Sequence, residues 1–95
     1  MTSTEVREKL KTIFEQRFNV IFDSEILMGQ HLLGRQIGLE ARDLIYLYFD
    51  IEQRFTITIP QEAVVQKKLS TFNKICEMIM EQLTYQYVEV SGAKL

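Results

Sequence analysis

Apolar residues recur at helical spacing in three stretches of the chain, and between them the pattern breaks up around glycines and a single proline. In the first stretch Val6, Leu10, Ile13, Phe14 and Arg17 fall on one face of a 3.6-residue repeat. Thr2 followed by Glu5 forms a capping box at its start, so the spacing predicts a helix over Ser3 to Arg17. The segment after it carries Gly29, Gly34 and Gly38 with poor periodicity. It reads as a long packed first loop with a helical turn around Glu25 to Leu33.

From Glu40 the helical pattern returns, with Leu44, Leu47, Tyr48, Ile51 and Phe55 on one face. Glu40 and Asp43 in the first turn and Arg54 in the last match the polarity of the helix dipole. The next residues, Thr56 to Pro60, alternate as a strand would, yet no second strand is available to pair with them. An extended connector is the expectation. Pro60 then opens a short helical turn from its N1 position to about Gln66. Thr71 caps a last helix whose buried stripe is Phe72, Ile75, Cys76, Ile79 and Leu83. The pattern therefore predicts an all-α fold, a small four-helix bundle with three long helices, one short helix and a long first loop. Residues 1–88 make one domain and residues 89–95 a frayed C-terminal tail.

Composition narrows the functional classes. A chain of 95 residues with 46% hydrophobic and 25% charged residues has the make-up of an ordinary small globule rather than a disordered or membrane chain. No run approaches the roughly 20 apolar residues of a membrane span, and the N-terminal stretch is charged where a signal peptide is apolar. A cytoplasmic protein with no membrane partner is expected. A formal charge of -2 gives no electrostatic reason to expect nucleic acid. Cys76 and His31 are each the only residue of their type, which leaves no disulfide, no zinc cluster and no Cys/His nucleophile pair. No metal and no catalytic residue is expected, and the chain is not expected to be an enzyme. The carboxylate pairs Glu40 with Asp43 and Asp50 with Glu52 read as solvated helix faces.

The stretch from Ile37 to Phe72 resembles the acyl and peptidyl carrier proteins. Ile37-Gly38 is similar to the Leu-Gly that precedes the Asp-Ser-Leu signature of that family. Asp50 to Phe55 is similar to its Leu-Glu-x-x-Phe helix end, Thr56 to Pro60 to its Phe-x-x-x-Ile-Pro exit, and Thr71-Phe72 to the Thr-Val that starts its last helix. The resemblance extends from Glu5 to about Leu83. It implies a four-helix domain of the acyl carrier protein type, with a 4'-phosphopantetheine arm on a serine at the start of the second helix. An ungapped count from Phe55 and Pro60 puts Glu40, Ala41 and Arg42 where the family has Asp-Ser-Leu. A methyl group has no oxygen to attack the pyrophosphate of coenzyme A, so Ala41 is a degenerate attachment position. Arg42 also stands where the family presents an apolar residue to its transferase, and Tyr46 where it presents an acid. The chain is similar to the peptide maturation system acyl carrier-related proteins, which lack the serine.

The resemblance therefore implies an interaction or adaptor module in a biosynthetic or peptide-maturation system, without a cofactor. The alternative is a functional acyl or peptidyl carrier with 4'-phosphopantetheine on another serine. Ser24 follows Asp23 and is the candidate, although Glu25 succeeds it and the Ile-Pro exit lies far downstream; as a residue it reads as a turn or helix cap. Ser70 reads as part of the cap of the last helix. Arg42, Ile45, Tyr46 and Phe49 lie outside the buried stripe of the second helix, at offsets that make one exposed row. That row is the expected partner-binding surface, for a biosynthetic or maturation enzyme or a second copy, in a monomer or weak homodimer.

Overall fold

In a computed structural model of the chain, the backbone is described over residues 1–92 and the side chains over residues 1–85. Among the described residues five helices follow one another: α1 (Ser3–Phe18), α2 (Glu25–Met28), α3 (Ala41–Phe55), α4 (Gln61–Val65) and α5 (Phe72–Gly92). The described residues form no β-strand, only an isolated bridge between His31 and Thr71. The fold is all-α, as the periodicity predicts, but the described residues form five helices. The extra element is the helical turn of the first loop. It closes as a four-residue helix because the Ser24 hydroxyl caps it, accepting from the Leu27 N–H at 3.2 Å, and it stops at Met28, short of Leu33.

Local chemistry sets the other boundaries. Thr2 and Glu5 cap α1 reciprocally, the Glu5 N–H donating to the Thr2 hydroxyl and the Thr2 N–H to the Glu5 carboxylate. The Thr2 N–H, and after it the Thr2 hydroxyl, both donate to the Glu5 carboxylate and hold that carboxyl below the usual range. Asn19 in the left-handed conformation ends α1, one residue later than expected. Pro60 sits at the N-cap of α4 rather than at N1, and α4 ends at Val65. Thr71 caps α5, its hydroxyl accepting from the Lys74 N–H at 3.1 Å. Ser70 takes no part in that cap through its side chain; its carbonyl instead accepts from the Leu32 N–H at 2.8 Å. α5 continues through Gly92, four residues into the stretch expected as a frayed tail, and residues 93–95 lie outside the described residues.

α1 packs against both α3 and α5. Val6, Leu10, Ile13 and Phe14 of α1 meet Leu47, Ile51 and Phe55 of α3 and Phe72, Ile75, Met78 and Ile79 of α5 in one core. Leu44, Tyr48 and Leu83, placed on buried stripes by spacing, pack only at its margin, and Met78 joins it instead. Arg17, which the periodicity puts on the apolar face of α1, is instead half-exposed. Its guanidinium makes a bidentate pair with Asp50 of α3, both bonds at 2.7 Å.

The long first loop is a packed layer. Phe22, Met28, Leu32 and Leu39 are buried in the core, and the loop's backbone is bonded to itself and to the turn before α5. Leu39 N–H donates to the Leu32 carbonyl, and Gly38 N–H to the Gly34 carbonyl at 2.7 Å. Gly38 has φ +77°, the left-handed region that a residue without Cβ enters freely, and this turn delivers the chain to Glu40 and the start of α3.

Cys76 is buried on α5, and burial pushes its thiol up to about 11 from the ordinary 9.0. The folded state thus favours the neutral thiol. Its stabilising contribution is complete below about pH 9 and is lost as pH rises through about 11, up to about 2–3 kcal/mol. In native buffer at pH 8 the thiol is expected to react with a disulfide reagent at least tenfold more slowly than in denaturant; equal rates would show that Cys76 is accessible.

Candidate functional site

α3 begins at Ala41, directly after the Glu40 N-cap. Asp43 at N3 reaches back, its carboxylate accepting from the Glu40 N–H at 2.9 Å, so this pair is a helix cap rather than only a solvated face. Ala41 is exposed at N1 and offers a methyl to solvent. Arg42 beside it is 77% exposed and lies 3.2 Å from the Glu40 carboxylate. The other carboxylate pair is also engaged: Asp50 binds Arg17, and Glu52 accepts from the Ile59 N–H at 2.8 Å.

The four residues of the expected contact row are all exposed, Ile45 at 59%, Tyr46 at 52% and Phe49 at 60%. At about 100° per residue they spread over the outward pole of α3 and its two flanks. Tyr46 leans towards α1, where the Arg17 guanidinium lies 5.7 Å from its ring centroid, within range of a cation–π contact. Ile45 and Phe49 lean the other way, over an open cleft of about 600 Å³ towards α4. Leu33 and Val64 supply its apolar walls, with His31 and Lys67 at its edge. Phe49 stands edge-on to Tyr48, with centroids 5.7 Å apart. A second cleft of about 580 Å³ lies between α1 and α3, where Arg17, Asp50, Gln53 and Arg54 give it a polar lining.

Sequence spacing identifies the α3 side of the apolar cleft. It misses Leu33, Val64 and Lys67, which come from the first loop, from α4 and from the turn after α4. The available signal was the Val64-Val65 pair: in a five-residue helix that buries Ala63, two adjacent valines cannot both face the core, and they are 46% and 72% exposed.

Neither cleft brings together a nucleophile and a base. The Nδ1 of His31 accepts from the Leu33 N–H at 3.2 Å, and Cys76 is buried. Among the described residues no three His, Cys, Asp or Glu side chains gather as metal ligands do, and no helix is long and apolar enough to cross a membrane. The Ser24 hydroxyl is occupied as the α2 cap. What the arrangement offers is a rigid helix with an aromatic and apolar outer face beside an apolar cleft. No family model, curated protein or solved structure matches the chain.

Proposed function

We propose that the protein is an interaction module of the acyl carrier protein type that bears no phosphopantetheine arm, with α1, α3, α4 and α5 as the four helices of the carrier bundle and α2 as a turn of its first loop. It is a cytoplasmic adaptor rather than an enzyme, and it recruits a biosynthetic or maturation enzyme through the outer face of α3. The observation that carries this reading is Ala41. The first residue of α3 is exposed and reachable, and its side chain has no atom able to form a phosphodiester. The row Arg42, Ile45, Tyr46 and Phe49 supports the second half, since an exposed aromatic row on a rigid helix is the kind of surface that supplies binding hot spots.

Incubation with coenzyme A and a broad-specificity phosphopantetheinyl transferase, read by intact mass, tests it. The expected result is an unchanged mass; a phosphopantetheine found on a serine by peptide mapping, with Ser24 the first place to look, overturns the reading. Ala41→Ser is expected to restore little or no labelling, because Arg42 and Tyr46 still present the wrong surface and positioning matters as much as the nucleophile. Efficient labelling of that variant would show that only the hydroxyl is missing.

A further inference from the structure

Four residues stand at the outward pole of α3: Arg42, Tyr46, Phe49 and Gln53, all exposed. Their spacing is symmetric about the middle of the helix. When two copies of α3 lie antiparallel around that midpoint, Tyr46 of each copy meets Phe49 of the other and Arg42 meets Gln53. We propose that the free protein self-associates through this face, with α3 packed antiparallel on α3 of a second copy about a two-fold axis. The proposal rests on the reading of the α3 outer face as a contact surface and names its occupant.

Charge complementarity selects both the second copy and its direction. On one flank of the antiparallel pair Asp43 lies beside Arg54 of the other copy, and symmetry repeats the contact. Arg54 is exposed and enters none of the ion pairs among the described residues. The other charges near the strip are engaged within their own chain, Asp50 by Arg17, Arg42 by Glu40 and Glu52 by the Ile59 N–H. In a parallel pair each residue meets itself, so Arg42 faces Arg42, Arg54 faces Arg54, and the helix dipoles align unfavourably. An isologous two-fold interface requires exactly this self-complementarity of one patch. The strip is about 22 Å long for 15 residues at 1.5 Å each. It offers a few hundred Å², short of the roughly 800 Å² per partner of a stable interface. The dimer is therefore weak and concentration-dependent, and its aromatic pairs remain open to exchange with another partner.

Sedimentation equilibrium across about 10 µM to 1 mM is expected to show a reversible monomer–dimer equilibrium. Tyr46→Ala with Phe49→Ala is expected to weaken association at least tenfold with unchanged circular dichroism. Arg54→Glu, at an exposed position, is expected to weaken it as well and serves as the reading if the double variant does not fold. Cysteine crosslinking fixes the geometry. Copies carrying Arg42→Cys mixed with copies carrying Gln53→Cys are expected to form a mixed disulfide, while each alone does not, since like positions lie roughly 16 Å apart along the antiparallel pair. Buried Cys76 does not compete. A monomer throughout the concentration range overturns the proposal, and so does crosslinking of Arg42→Cys to itself. The mass measurement on the attachment position is independent: self-association can fail while the chain stays unmodified, and a modified serine can appear in a chain that dimerises.

Discussion

Phe72→Ala is expected to be the most damaging single truncation, costing about 3–5 kcal/mol. Phe72 is fully buried at the start of α5 and joins three parts of the chain. Its ring lies 6.0 Å from Phe14 of α1 and 4.7 Å from Phe22 of the first loop, and those two rings are 4.8 Å apart in an edge-on arrangement. Removing the Phe72 ring leaves a cavity that Phe14 and Phe22 cannot close, because each is fixed by its own segment. A domain of this size has only about 5–14 kcal/mol in total. Urea denaturation should therefore show a large fall in midpoint with little change in slope, and the melting temperature should drop by more than about 12 °C. Phe72→Leu, which retains most of the volume, should cost less than half as much. A loss below about 1.5 kcal/mol for the alanine variant would show that the cluster is loosely packed.

That aromatic cluster marks where the sequence stops being informative about the fold. α1 and α3 were legible to within a residue or two because the core takes one face of each, and a single-faced helix writes its burial as a 3.6-residue repeat. The first loop writes no such repeat. Phe22, Met28, Leu32 and Leu39 are buried there at irregular intervals, and the backbone groups around them are satisfied by partners far along the chain, as when Leu32 donates to Ser70. Periodicity carries no record of such pairings. Arg17 shows the same limit on the surface. Its position satisfied the helical repeat, but its partner is Asp50, thirty-three residues away, and the contact pulls it out of the core. The candidate site divides likewise. The exposed face of α3 could be deduced as the complement of its buried stripe, whereas the cleft beside it needed the placement of α4 and the loop.

Thr56 to Pro60 gives the second large expected effect, for it resolves how a strand-like segment survives without a sheet. Thr56 in the left-handed conformation ends α3 and turns the chain back, so that Ile57 and Ile59 face the core and Thr56 and Thr58 face solvent. With no neighbouring strand, the polar groups of buried Ile59 turn to α3 itself. Its N–H donates to the Glu52 carboxylate at 2.8 Å, and its carbonyl accepts from the Tyr48 hydroxyl at 3.1 Å. Tyr48 and Glu52 are four residues apart and so stand on one side of the helix, where together they clasp a single residue of the connector. Burial, and then the neighbouring Glu52 charge, raise the Tyr48 phenol above its usual value, keeping it a donor. Glu52→Ala strands the Ile59 N–H in the core and is expected to cost about 1–3 kcal/mol. Glu52→Gln keeps an accepting oxygen and should recover most of that loss. Amide hydrogen exchange should locate the damage, with Ile59 losing protection in the alanine variant while the amides in the middle of α1 stay protected. If Ile59 exchanges as slowly in Glu52→Ala as in the unaltered protein, the connector is held by the burial of its two isoleucines and the clasp is dispensable.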